Sequence, residues 1–166
     1  MSLAIVYGSS MGNTESAAKT ICEKLGLACD VINIADTDAN TLNGYDKLIC
    51  GTSTWNSGDL QDDWEYFDFS GLDLNGKTVA VFGVGDSQSY GDEFCNGLKK
   101  LYDKLVEAGA DINIGKVSSD GYDFEASESL GDDGKFVGLV LDYDNEEEKS
   151  EDRISNWVDS IKQYFE

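Results

Sequence analysis

Apolar positions along this chain fall into two kinds of pattern. Short unbroken runs, Leu3 to Tyr7, Lys47 to Thr52 and Lys77 to Gly83, have the length and composition of strands buried on both faces, and Val31 to Ile34 reads as a weaker edge strand. Between and after them come single apolar stripes at helical spacing. Ala17, Ala18, Ile21, Cys22 and Leu25 form one; Phe94, Leu98, Leu101, Tyr102 and Leu105 a second; Ile154, Trp157, Val158, Ile161 and Phe165 a third. Strands alternating with helices predict right-handed crossovers and a parallel sheet covered on both faces, a doubly wound α/β fold.

The end of the pattern is irregular. Asp111 to Val117 and Phe136 to Leu141 both read as strand, yet the stretch 118–135 between them is polar, contains glycine and carries no helical stripe. A loop of that length in a compact domain usually has a function of its own. It is expected to be an insertion that splits the fifth strand of a five-stranded sheet. The acidic run Asp142 to Asp152 is expected to lead into the last helix, where carboxylates suit the positive N-terminal end.

No repeat, low-complexity tract or linker interrupts the chain, so residues 1–166 are expected to form one domain. No apolar run approaches the roughly 20 residues of a membrane span. The N-terminus shows no basic segment, long apolar segment or cleavage site, so a cytoplasmic protein without a membrane partner is expected. The 33 acidic residues against 12 basic ones give a formal charge of −21. That excludes nucleic acid as an expected partner, since phosphate contacts need clustered Lys or Arg. The charge is either a solvated surface that keeps the protein soluble or a field that steers it toward basic docking surfaces.

Histidine is absent, which removes imidazole acid–base chemistry, Ser-His and Cys-His nucleophiles and the commonest metal ligand. The four cysteines form no CxxC pair; Cys22 and Cys50 lie in apolar stretches and are expected to pack as small hydrophobes, with no redox or metal role for any of the four.

Ligands of open α/β sheets sit outside the carboxyl ends of the strands. The first strand is followed by Gly8-Ser9-Ser10-Met11-Gly12-Asn13-Thr14, which runs straight into a helix. Glycines permit close backbone approach, Ser9, Ser10 and Thr14 add hydroxyls, and the helix N-terminus attracts an anion, so a phosphate could bind without a basic side chain. An ordinary glycine-rich turn capped by Asn13 or Thr14 explains the same residues about as well. A Walker loop would need Gly-Lys-Ser/Thr, and the G-x-G-x-x-G spacing of dinucleotide sites is missing. The third strand is followed by Thr52-Ser53-Thr54-Trp55-Asn56-Ser57-Gly58, and the fourth by Gly83-Val84-Gly85-Asp86 and then Tyr90. Either aromatic alone would more often cap a core. Together, beside a phosphate loop, they suggest a clamp for a planar ring.

These three loops in this order, with Asp120-Gly121-Tyr122-Asp123-Phe124 and Gly134-Lys135-Phe136-Val137-Gly138-Leu139 in the late insertion, resemble a flavodoxin of the long-chain type over nearly the whole length. The resemblance implies the flavodoxin-like strand order 2-1-3-4-5 and non-covalently bound FMN. It places the phosphate on Ser9, Ser10, Met11, Gly12, Asn13 and Thr14 and the ring between Trp55 and Tyr90. The backbone of Thr52, Ser53, Thr54, Asn56, Ser57, Gly58, Gly85 and Asp86 would line the ring edges, with Asp86 and Asp144 as acidic neighbours. Met11 stands where the family usually has threonine. The implied function is low-potential one-electron transfer, shuttling between semiquinone and hydroquinone, rather than catalysis on a substrate. The implied partners of a monomer are proteins with basic docking surfaces, of the ferredoxin/flavodoxin reductase and 2-oxoacid oxidoreductase types. On the same fold, an FMN-dependent NAD(P)H:quinone reductase would need an open substrate face and a basic anchor. A phosphoacceptor domain would need an Asp at a strand end, where Tyr7-Gly8 stands.

Overall fold

The computed structural model describes residues 3–8, 12–55, 59–85, 94–112, 114–122, 124, 126–131 and 133–166, with backbone alone at 54, 55, 59, 60, 62 and 144. In chain order these form β1 (Leu3–Gly8), α1 (Asn13–Leu25), β2 (Asp30–Asn33), α2 (Ala39–Leu42), β3 (Lys47–Trp55), β4 (Asp59–Leu60), α3 (Asp62–Glu65), β5 (Thr78–Val84), α4 (Asn96–Glu107), β6 (Val117–Ser118), β7 (Lys135–Phe136), β8 (Leu139–Leu141) and α5 (Tyr143–Phe165).

Five strands make a parallel sheet in the order β2-β1-β3-β5-β8, the expected 2-1-3-4-5 arrangement. The short β4 folds back antiparallel on the end of β3. Because side chains alternate across a strand, each central strand feeds two cores. Ala4, Val6, Leu48, Cys50, Val79, Val81 and Val140 face α4 and the short helices, meeting Leu98, Leu101, Leu105, Leu42 and Trp64. Leu3, Ile5, Ile49, Ala80, Phe82, Leu139 and Leu141 face α1 and α5, meeting Ile21, Leu25, Ile154, Trp157, Val158 and Ile161. The three helical stripes of the sequence are therefore the inner faces of α1, α4 and α5. No described helix is long and apolar enough to cross a membrane.

Three details differ from the sequence expectations. Asp111 to Lys116 does not pair into the sheet among the described residues. Ile112 is buried, but the carbonyl of Gly115 accepts from Trp157 Nε1 at 2.8 Å and is drawn toward α5. Only Leu139–Leu141 supplies the fifth strand, while β6 and β7 pair with each other in a separate antiparallel ribbon. The acidic run lies inside α5 rather than ahead of it. Asp142 caps the helix by accepting from the Asn145 N–H at 3.2 Å, and a non-helical residue, Glu146, interrupts it early. Glu146 there accepts from Lys149 at 2.7 Å and from Arg153 at 3.1 Å, both of which hold its carboxyl below the usual range. Finally, Cys22 and Cys29 form a disulfide between the last turn of α1 and the approach to β2, correcting the expectation of simple packing. Their partly exposed positions bring two thiols together that a spacing of seven residues does not announce. Cys50 is a buried free thiol, as expected.

The segment around β6 and β7 has a small aromatic core of its own. Tyr122, Phe124 and Phe136 gather around Phe94 with ring centroids 5.4 to 6.2 Å from it, and the Tyr122 hydroxyl donates to the Val140 carbonyl at 2.6 Å.

Candidate functional site

The carboxyl ends of three neighbouring strands lie in one row. Gly8 of β1 is level with Thr52 of β3, which is level with Gly83 of β5. The chain leaves β1 toward β2 on one side and returns to β3 on the other, so the row contains the switch point at which doubly wound sheets hold ligands.

At the first strand end, Gly12 is the N-cap of α1 with φ 89°, a residue with no side chain to cap the helix. The left-handed conformation suits glycine, and nothing lies within 4 Å of where a Cβ would stand. Thr14 does not do the capping its position suggests. Its side chain is 1% exposed and its Oγ1 makes no hydrogen bond. A buried hydroxyl without a partner is costly, so this oxygen in the first turn of a helix is suited to an anion. Behind the loop, the Tyr7 hydroxyl donates to Glu15 Oε1 at 2.9 Å; burial first, and then this carboxylate, push its pKa up to about 12. Ser9, Ser10 and Met11 lie outside the described residues; Asn13 begins the helix.

At the second strand end, Thr52 is fully buried. Its hydroxyl donates to the Ser53 carbonyl at 2.9 Å and accepts from the Gln61 N–H at 3.4 Å, so its side chain serves the fold. Ser53 Oγ is buried and makes no hydrogen bond. Thr54 and Trp55 continue β3 by pairing antiparallel with Leu60 and Asp59 of β4, so the two strands form a hairpin beyond the strand ends. Asn56, Ser57 and Gly58 lie outside the described residues.

Two residues that the sequence reading passed over hold this hairpin. Gln61 Oε1 accepts from the N–H groups of Asp63, at 2.9 Å, and Trp64, at 3.4 Å. The Trp64 indole, fully buried, donates to the Gly51 carbonyl at 2.7 Å. The available signal was a tryptophan set between Asp62-Asp63 and Glu65, where only burial justifies it.

At the third strand end, the Gly85 N–H donates to the Leu141 carbonyl at 2.9 Å, locking β5 to β8 as the loop begins. Asp86 and Tyr90 lie outside the described residues. Asp144 has its backbone in the first turn of α5, directly after β8. Of the residues expected to form the site, the structure thus brings Gly12, Asn13, Thr14, Thr52, Ser53, Thr54, Trp55 and Gly85 to one edge.

The profile described as Flavodoxin matches residues 5–157. This chain belongs to the flavodoxin family. It is 42% identical to a flavodoxin of a Nostoc species, over 98% of this chain and 96% of the relative. It is 41% identical to Flavodoxin 1 of Escherichia coli K12, over 96% of this chain and 92% of the relative. Among solved structures, the flavodoxin of Fusobacterium nucleatum bound to flavin mononucleotide superposes with a TM-score of 0.91 at 28% identity, covering 99% of each chain. The flavodoxin fold accounts for the row of strand ends and for the switch point between β1 and β3.

Proposed function

We propose that this chain is a single FMN-binding domain that serves as a low-potential one-electron carrier and has no substrate of its own. The observation that carries the reading is the Thr14 hydroxyl, buried and without a hydrogen bond among the described residues, in the first turn of a helix whose N-cap is a glycine. A phosphate monoester fits that arrangement, since it brings acceptor oxygens and negative charge to N–H and O–H donors.

Residues 9–14 would hold the phosphate and the backbone of 52–58 and 85–90 the ring edges, with Trp55 and Tyr90 on its faces. Flavin supplies the capacity to take up and release electrons singly; the protein sets the energy at which it does so. Cycling between the one-electron- and two-electron-reduced forms would be the working range. A unit negative charge ~10 Å from the flavin at an effective dielectric of ~20 opposes added negative charge by about 1.7 kcal/mol before screening. This corresponds to roughly 70 mV for one electron. Asp86 and Asp144, in a chain of net charge −21, are placed in sequence to act in this way.

The same charge favours docking by proteins with basic surfaces, of the ferredoxin/flavodoxin reductase and 2-oxoacid oxidoreductase types, to a cytoplasmic monomer. An absorption spectrum of the purified protein tests the reading. Flavin bands and release of FMN on denaturation are expected. A colourless protein that ignores added FMN would overturn it, and rapid bleaching by NADPH alone would replace it with a quinone reductase.

A further inference from the structure

We propose that the cleft between α5 and residues 116–122 is a binding site for a small organic monoanion, a carboxylate carried on an aromatic body. None of its lining residues is shared with the expected flavin site.

The cleft has a volume of about 540 Å³, within the range of small-molecule sites. It lies at the outer edge of the sheet, where Leu139 of β8 lines it. Val117, Tyr122, Leu139 and Trp157 supply apolar and aromatic wall. Cations come from both sides: Lys116 from the approach to β6, Lys149 and Arg153 from α5. The cleft thus holds three of the chain's 12 basic residues and only two, Asp120 and Asp152, of its 33 acidic ones. Here the balance of charge is the reverse of that in the chain as a whole, as capture of an anion requires.

The contacts of these cations leave positive charge to spare. Glu146 accepts from Lys149 at 2.7 Å and from Arg153 Nη2 at 3.1 Å, one carboxylate for two cations. Lys116 meets Asp133 at 3.5 Å with both side chains well exposed, a contact that costs little to exchange. Arg153 is fixed in place: its guanidinium carbon lies 3.9 Å from the centre of the Tyr122 ring and Nη2 donates to the Gly121 carbonyl at 2.9 Å. Its Nη1 is nevertheless buried with no hydrogen bond among the described residues. A buried charged donor without an acceptor is destabilising, and the planar guanidinium matches a carboxylate in shape and charge. A carboxylate drawn into the cleft supplies the missing acceptor.

The two acidic residues narrow the class of ligand. Asp120 and Asp152 repel a second negative charge, which disfavours phosphate and dicarboxylates. The aromatic wall disfavours anions without an apolar body. A monocarboxylate on an aromatic ring satisfies both, with its charge toward Arg153 and its ring toward Trp157 and Leu139.

Benzoate is the probe, with benzamide as its neutral counterpart and inorganic phosphate as an anion without an apolar body. The protein is titrated as purified, with whatever cofactor it carries, and its indole N–H signals are followed by NMR. Trp157 Nε1 donates to the Gly115 carbonyl at 2.8 Å, so its signal reports on the cleft wall; Trp64, in the core on the other face of the sheet, is the control. Benzoate is expected to shift the Trp157 signal saturably, to leave Trp64 unmoved, and to bind at least about tenfold more tightly than benzamide or phosphate. Arg153→Gln should remove that preference. Lys149→Gln, at an exposed position, should weaken benzoate several-fold, since Glu146 then turns wholly to Arg153. If Arg153→Gln does not fold, Lys149→Gln carries the comparison. No saturable shift at Trp157, equal binding of benzamide or phosphate, or an unchanged affinity in a folded variant would each overturn the inference. A chain that took up benzoate but no FMN would sink the flavin reading alone.

Discussion

The guanidinium carbon of Arg153 lies 3.9 Å from the centre of the Tyr122 ring, joining α5 to the insertion through the chain's single arginine. Nη2 donates to the Gly121 carbonyl at 2.9 Å and to Glu146 at 3.1 Å. Its side chain is only 13% exposed; ring, carbonyl and carboxylate replace part of the water it gives up, while Nη1 stays buried with no hydrogen bond among the described residues. Arg153→Ala should therefore cost about 3 kcal/mol of stability. Arg153→Lys should restore no more than half, because an ammonium cannot stack flat on the ring while reaching two acceptors. Urea unfolding of both variants is the measurement; a lysine variant as stable as wild type would show that charge alone matters at this position.

For Thr14, affinity and stability should move in opposite directions. Thr14→Val replaces a buried, unbonded hydroxyl by a methyl group of similar size, so the apoprotein should be as stable as wild type or more so. FMN binding should weaken by about 1.5–3 kcal/mol, the worth of a hydrogen bond to a charged group. Riboflavin, without the phosphate, should bind both proteins equally. Calorimetric titration with the two ligands decides, and equal losses for both would remove Thr14 from the phosphate site.

Trp55 ends β3 at the hairpin and Tyr90 follows the β5 strand end, which motivates their assignment to opposite faces of the ring. Replacing either by alanine should weaken FMN binding by on the order of 1–3 kcal/mol. Each replacement should also admit water that solvates the fully reduced flavin anion, making the lower of the two one-electron potentials less negative. Redox titration of both variants is the check. An unchanged affinity and unchanged potentials in either would mark that residue as an ordinary surface or core aromatic.

Alkaline pH should expose the role of Tyr7. Burial and its bond to Glu15 raise its pKa from 10.0 to about 12, so the fold stabilises the neutral phenol. Below pH 10 both folded and unfolded chains keep the proton and the stabilisation is whole. Between about pH 10 and 12 the unfolded chain gives it up first, and stability falls. Tyr122 and Tyr143 are raised as well, chiefly by burial, so Tyr7→Phe should reduce the slope of urea midpoint against pH across this interval without abolishing it. A slope identical to wild type would show that the Tyr7 proton is not linked to folding.

The parallel sheet and its two cores were legible because burial on both faces imposes unbroken apolar runs and helix packing imposes stripes. Alternate residues of Leu3–Gly8 do go to opposite cores. The three loops stood out in the sequence because glycine, hydroxyls and aromatics cluster there at strand ends, in places where a core would not need them. What escaped were features made by contacts distant in sequence or by competition between short-range preferences. The capping assigned to Thr14 fails because Gly12 takes the N-cap position without help from any side chain. Of the strand expected at Asp111 to Val117, only Val117 lies in a strand among the described residues, because a tryptophan on α5 claims the Gly115 carbonyl. The disulfide of Cys22 and Cys29 depends on where a helix end meets an edge strand. Gln61 and Trp64 serve the hairpin from positions that have no periodic pattern to reveal them.

The two cores on either side of the sheet fix its register jointly. Ile5 enters one core while Ala4 and Val6 enter the other. A slip of one residue would send each of these side chains to the wrong face, so neither core can form in full while the other is misaligned.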